Sequence, residues 1–288
     1  MSAASPASAR VVQRPSTTRI ALALLAGARG EALATPVLLG AAELLGMSEN
    51  AMRIALSRLL ASGDVSSPGR GLYLLSAERS AASAHVRTYR TGFLPRVAWQ
   101  GAFCAVLTSH LPRRSTSAVR RREAALSLSG FREYRPGVFV RPDNLEGGRL
   151  VLAAHLARLG LESDADVVGL QLEASHLREL ERLYELARDA RRARALCEKV
   201  LQLLDGLASM PRRKVAASTF FLGDEVLRFL ARDPLLPESM ADPAPRRALA
   251  SAMGQLDERA YALWRVILDE LAQQSSRVSL SAPRRQSV

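Results

Sequence analysis

The tightest constraint on this chain is a run of helix starts and stops packed into residues 16–75. Ser16 reads as the N-cap of a helix running to about Ala28, because its hydroxyl can accept from an otherwise orphaned backbone N–H. Thr35-Pro36 reads as a second start, a capping threonine followed by a proline whose missing N–H costs nothing in a first turn. That helix carries Val37, Leu38, Ala41, Leu44 and Leu45, and stops at Gly46, the residue type best suited to the left-handed closing position. Ser48 caps a third helix almost at once, ending near Gly63. Asp64 to Leu75 then places two short β-prone pieces around Pro68-Gly69-Arg70-Gly71, which predicts a hairpin. Helix, short helix, turn, helix, hairpin is the order of a winged helix-turn-helix, expected over residues 16–78.

The third helix makes that expectation chemical. At about 100° per residue, Met52, Ala55, Leu56 and Leu59 share one side, while Asn50, Arg53, Ile54 and Ser57 share the other. The apolar side suits packing on Leu22, Leu25, Leu38, Leu44 and Leu45. The polar side suits a major groove. Arginine can bond guanine O6 and N7 together, asparagine can do the same with adenine N6 and N7, and a small hydroxyl reaches phosphate or base. Ser48 leaves the helix N-terminus, with its partial positive charge, near a phosphate. Arg58 lies to one flank, towards the backbone, and Arg70 stands at the hairpin tip for a phosphate or minor-groove contact. The expected DNA-binding residues are therefore Ser48, Asn50, Arg53, Ser57, Arg58 and Arg70. One such helix per chain offers few base contacts, so a homodimer on two half-sites of double-stranded DNA is expected.

Beyond the hairpin, residues 76–95 read as a connector. Val97 to Leu107 reads as a strand, and Ser115 to Ser129 as a helix with Arg120, Arg121 and Arg122 exposed and Val119, Ala124, Ala125 and Leu128 inward. Gly130 ends it, Phe131 to Val140 forms a hairpin around Arg135-Pro136-Gly137, Leu150 to Leu159 forms a helix, and Ala165 to Leu172 a last strand. Strand, helix, hairpin, helix, strand is the order of a ferredoxin-like α/β sandwich, expected over residues 79–174. A helical domain is expected over 175–274, with Leu177, Leu180, Leu183, Tyr184 and Ala187 on one face, Leu196, Val200, Leu203 and Leu204 on the next, and further helices near 217–230 and 246–273. Residues 1–15 and 275–288 read as disordered tails. The fold class is α+β.

Charge narrows the partners. The formal net charge is +12, and of the basic residues only Lys199 and Lys214 are lysine. A polyanionic partner fits that excess, although an arginine- and alanine-rich composition is also what a GC-rich coding bias produces. Cys104 and Cys197 stand far apart, so no disulfide framework or zinc cage is expected, and a reducing, cytoplasmic setting follows. Ile20 to Ala28 after Arg10, Arg14 and Arg19 imitates a secretory signal, but Arg29 and Glu31 place charge where a cleavage region is neutral. No apolar run is long enough to span a bilayer, and no membrane partner is expected. Catalysis finds no support. His85, His110, His155 and His176 fall in no metal-ligand spacing, no Gly-x-Ser-x-Gly elbow or phosphate-binding GxxxxGK occurs, and Val97 to His110 holds no Asp or Glu for a nuclease metal. No metal and no cofactor are expected.

Four segments carry a family resemblance. Met52-Arg53-Ile54-Ala55-Leu56-Ser57-Arg58-Leu59, between Ser48 and Gly63, resembles the recognition helix of the PaaX family of phenylacetic acid degradation repressors. Trp99-Gln100-Gly101 and Gly130-Phe131 with Pro136-Gly137-Val138-Phe139-Val140 and Pro142 resemble that family's central domain. Asp233-Pro234-Leu235-Leu236-Pro237 resembles its C-terminal loop, although Asp242-Pro243-Ala244-Pro245 stands where the family usually has tryptophan-proline-glycine. The resemblance implies a dimeric repressor of a catabolic operon, released by an aryl-CoA or another acyl-CoA thioester. Arg212, Arg213 and Lys214 read as a loop cluster fit for such an anion, between the middle and C-terminal domains, with Arg120 to Arg122 as a second cluster and Phe220 and Phe221 lining an acyl slot. The alternative is an RNA-binding or protein-interaction protein that uses the basic sandwich, with Trp99, Phe103, Tyr134 and Phe139 as a stacking platform.

Overall fold

The computed structural model describes residues 15–281 of a mixed α and β protein. Positions 1–14 and 282–288, most of the two expected tails, lie outside the described residues. The first elements are α1 (Thr17–Gly27), β1 (Leu33–Ala34), α2 (Thr35–Leu44), α3 (Glu49–Ala61), β2 (Val65–Ser66) and β3 (Leu72–Leu75). Ser16 caps α1 by accepting from the Arg19 N–H, and Gly46 and Gly63 take the positive φ expected of helix-ending glycines. The three strands form an antiparallel sheet in the order β1-β3-β2. Ile20, Leu24, Leu25, Leu38, Met52, Leu56 and Leu59 fill the space between the helices. Each such side chain contributes about 1.5–3 kcal/mol by burial.

Two details differ from expectation. Strand β1 pairs Leu33 with Tyr73 and Ala34 with Leu72, a contact too short and too distant in sequence to leave a local pattern. Because the chain enters α2 directly from that strand, Ala34 takes the cap position. Thr35 instead gives both its N–H (2.8 Å) and its hydroxyl (3.0 Å) to the Gly71 carbonyl. Thr35 therefore pins the hairpin to α2.

Residues 76–95 are no extended connector. Ser76 caps α4 (Ala77–Arg87), which runs into a 3₁₀ turn at Thr88–Arg90. Its inward residues Ala81 and Ala82 are too small to mark an apolar stripe. The next elements are β4 (Phe103–Leu107), α5 (Thr116–Leu128), β5 (Arg132–Arg135), β6 (Val138–Pro142), α6 (Gly148–Arg158) and β7 (Asp166–Leu170). They build a four-stranded sheet in the order β5-β6-β4-β7, with Ala105 opposite both Val140 and Val168. The strand expected from Val97 begins only at Phe103, after Gly101 turns the chain at φ +86°. On α5, Arg122 is buried rather than exposed: it forks onto Glu162 at 2.6 and 3.0 Å and donates to the Pro112 carbonyl. Leu126 replaces Ala124 on the inward face.

The remaining helices are α7 (Ala174–Leu183), α8 (Leu186–Gly206), α9 (Arg212–Ala231) and α10 (Ala244–Ser281). Leu177, Leu180 and Leu183 of α7 cover the second face of the four-stranded sheet. Glu185 takes a left-handed conformation between α7 and α8, so Ala187 leaves that face and is exposed. Helix α10 continues through residues 275–281, where a tail was expected to begin. Phe220, Phe221, Trp264 and Leu271 from α9 and α10 pack on the α1–α3 core, so the N-terminal helices rest directly on the C-terminal ones.

Residues Asp233–Pro237 plug the junction. Gly130 sits at φ +78°, and a Cβ there would lie 2.6 Å from the Pro234 Cα. Arg141, fully buried, donates to the carbonyls of Ser129 (2.5 Å), Pro142 (3.2 Å) and Pro234 (3.4 Å) and to Asn144 Oδ1 (3.1 Å). Asn144 in turn donates to the Leu235 carbonyl. Asp233 pairs with Arg246 of α10 at 3.3 Å, and Arg246 donates to the Tyr89 carbonyl. Close by, His85 of α4 and His155 of α6 share a buried 3.0 Å hydrogen bond against the Phe93 ring.

Candidate nucleic-acid interface

Helix α3 forms because Ser48 caps it, accepting from the Ala51 N–H at 3.2 Å, and Glu49 favours its positive N-terminal end. Its orientation follows from burial: Met52, Ala55, Leu56 and Leu59 are all at most 3% exposed. That places Asn50, Arg53, Ile54, Ser57 and Arg58 in solvent. The structure thus brings Asn50, Arg53 and Ser57 onto one face, with Arg58 beside them. The Ser48 hydroxyl is already used by its own helix.

Arg53 lies 3.6 Å from Glu49 one turn earlier, with both side chains more than half exposed. An exposed pair of this kind contributes well under about 1 kcal/mol, so it yields readily to a competing phosphate or base. Arg58 and Arg70 form no ion pair among the described residues. Ile54, 45% exposed, adds an apolar contact of the kind that suits a thymine methyl. Its place on the outer face was expected from helical spacing, but not a contact role for it.

The hairpin tip is held rather than loose. The Ser67 hydroxyl donates to the Gly69 carbonyl at 2.8 Å, the Leu72 N–H donates to the same carbonyl at 3.0 Å, and Thr35 holds Gly71. Arg70 projects from this fixed turn and is exposed. Behind it, Arg79 pairs with Asp64 at 2.7 Å, tying the hairpin to α4. Burial opposes ionisation of Asp64, yet hydrogen bonds from Arg79 and Ser62 pull its carboxyl below the usual range.

The Arg212–Lys214 cluster lies elsewhere than expected. Arg212, Arg213 and Lys214 form the first turn of α9, not a loop, because Pro211 starts the helix. Arg212 pairs with Glu270 of α10 at 2.9 Å, and Arg213 donates to the Glu43 carbonyl of α2 at 3.0 Å. They line clefts of about 440 and 450 Å³ between α2 and the α9–α10 pair. The middle segment takes no part there, and Arg122 is committed to Glu162. Phe221 reaches one cleft, while Phe220 packs against Trp264 with 5.4 Å between ring centroids.

Other chemistry is sparse. Burial pushes the Cys104 thiol up to about 12, which leaves it an unreactive core side chain. Among the described residues, no group of three or more His, Cys, Asp or Glu is placed to hold a metal, and no helix is long and apolar enough to cross a membrane.

No protein-family model matches the chain, and no curated protein matches it. Among solved structures it aligns with Rv0674, an uncharacterized protein from Mycobacterium tuberculosis. The two share 21% identity over 89% of this chain and 99% of that one, with a TM-score of 0.49.

Proposed function

We propose that this chain is a DNA-binding transcriptional regulator of PaaX type, with α1–α3 and the β2–β3 hairpin as a winged helix-turn-helix over residues 16–78. The observation that carries the reading is α3: one face fully buried, the other presenting Asn50, Arg53, Ile54, Ser57 and Arg58 to solvent beside a rigid, arginine-tipped hairpin. The sheet order β5-β6-β4-β7 supports a ferredoxin-like middle domain over 79–174, and α7–α10 form the helical domain that follows. A homodimer in the cytoplasm represses a catabolic operon, and a small anionic effector such as an aryl-CoA or other acyl-CoA thioester releases it. The clefts between α2 and α9 support an effector point, because a ligand there would push directly on the helix that backs α3. RNA stacking on the sheet is disfavoured. Phe103 is buried, Trp99 and Tyr134 pack with the face that α7 covers, and Phe139 packs on the opposite face.

Two substitutions separate reading from clamping. Arg53→Ala should cost about 1–3 kcal/mol of specific binding and relax one base position. Arg70→Ala should weaken all duplexes alike and reduce the salt slope by about one unit. Binding curves on operator and random duplex at several salt concentrations measure both. Identical behaviour of the two variants contradicts the assignment. Footprinting on the chain's own upstream region should show two half-sites a whole number of helical turns apart, and a single one-sided footprint contradicts the dimer.

A further inference from the structure

A stripe of arginines crosses the molecule far from α3 in sequence. Arg228 and Arg232 follow Asp224 and Glu225 along α9, Arg192 reaches in from α8, Arg132 from β5 and Arg19 from α1. The carboxylates present are already used. Asp224 takes both Arg19 and Arg228, and Glu225 takes Arg192 at 4.0 Å. Arg132 and Arg232 have no carboxylate within ion-pair distance among the described residues. Arg132 instead donates to the carbonyls of Phe131 and Arg232, which holds its guanidinium beside the end of α9. Asp189 lies nearby without forming an ion pair, and burial pushes its carboxyl above the usual range.

These guanidiniums repel one another. Arg232 titrates below the usual arginine range, through burial first and then repulsion by Arg228, Arg132 and Arg192. Arg19 is drawn down to about 10 by burial and by Arg228 and Arg232, and its Nε is buried with no acceptor. Guanidiniums crowd together at such cost where an oxyanion bridges them, since each planar fork can bond two oxygens at once. Aromatic faces steady two of the forks: Arg192 lies 5.5 Å from the Phe229 ring centroid and Arg132 lies 5.9 Å from that of Tyr184. Arg192 and Arg228 remain 52% and 39% exposed, so an ion can enter from solvent.

We infer that Arg132, Arg192, Arg228 and Arg232 form a binding site for a phosphate group, separate from the α2–α9 clefts and from the DNA-reading face. The ligand is either free phosphate or the phosphate of a monoester. Its binding joins β5, α8 and α9 through one anion. Because no DNA is involved, the site stands or falls independently of the regulatory reading.

Thermal unfolding and calorimetry of the full chain test it, with inorganic phosphate and phenyl phosphate as probes and sodium chloride at matched ionic strength as control. Phosphate should raise Tm by a few degrees where chloride does not. Arg132→Gln and Arg232→Gln should each bind phosphate at least about tenfold more weakly. Arg232→Gln, whose side chain gives up no hydrogen bond among the described residues, should also be no less stable than the parent without phosphate, because a like charge has been removed, an effect that simple loss of structure would reverse. Arg265→Gln, exposed on α10, should respond as the parent does. A response to phenyl phosphate alone assigns the site to a monoester, and an equal response to both assigns it to the bare phosphate. Absence of any phosphate-specific response, or an unchanged response in both Arg132→Gln and Arg232→Gln, overturns the proposal.

Discussion

Replacing Arg141 by methionine should destabilise the protein by about 3–5 kcal/mol, a large share of the stability of an ordinary domain. The side chain is fully buried, and four of its five N–H donors meet three backbone carbonyls and Asn144. Burial draws the guanidinium down to about 10, still charged at neutral pH. Methionine keeps much of the volume and removes every donor. The Ser129 and Pro234 carbonyls and the Asn144 amide oxygen then lose a charged partner, at about 1–3 kcal/mol for each buried group left unpaired. Because Pro234 belongs to the loop that plugs the junction, the loss loosens the contact between the four-stranded sheet and the C-terminal helices. Urea unfolding reads the effect as a fall in midpoint. Arg120→Met on the exposed face of α5 should stay within about 0.5 kcal/mol, and a similarly small change at Arg141 contradicts the account.

Acid should loosen the same junction. Burial, followed by repulsion from His85, draws His155 down to about 4, and burial likewise lowers His85. Both folded values lie below the unfolded value of 6.5. The unfolded chain therefore takes up protons first as pH falls. The contribution is fully present above pH 6.5 and is lost progressively towards pH 4. For His155 the shift corresponds to about 3 kcal/mol. His85 also contacts the Ala231 carbonyl at the end of α9, so its protonation disturbs α4, α6 and α9 together. Stability measured from pH 7.5 to 4.5 should decline steeply in the parent and less steeply in His155→Gln. Parallel profiles contradict the role of the pair.

The helix boundaries near the N-terminus were legible because capping is local chemistry. Ser16, Ser48 and Ser115 each accept from an N–H three residues on, and that spacing stands in the sequence. The order of the middle elements was legible for the same reason: Gly130 and Pro136-Gly137 mark their turns. Long-range pairing was not. Strand β1 exists only through Leu72 and Tyr73, and Thr35 faces the hairpin because of that strand. Helix α4 hid behind alanines. Arginine was the hardest residue to read. With nearly all basic positions filled by it, the buried Arg122 and Arg141 look no different in sequence from Arg53 on an open face. The Arg212–Lys214 cluster was found, but its neighbours α2 and α10 lie far off in the chain, so its place against α2 needed the fold.

The central claim is that the outer face of α3 reads duplex DNA. Fluorescence anisotropy with labelled duplex from the chain's own upstream region, random duplex and single-stranded RNA tests it most directly, on the parent and on an Arg53→Ala, Arg58→Ala double variant. The account predicts preference for the upstream duplex, binding that falls steeply with salt, and about a hundredfold loss of specific affinity in the double variant. Equal affinity for single-stranded RNA, or specific binding untouched by the double substitution, would contradict it.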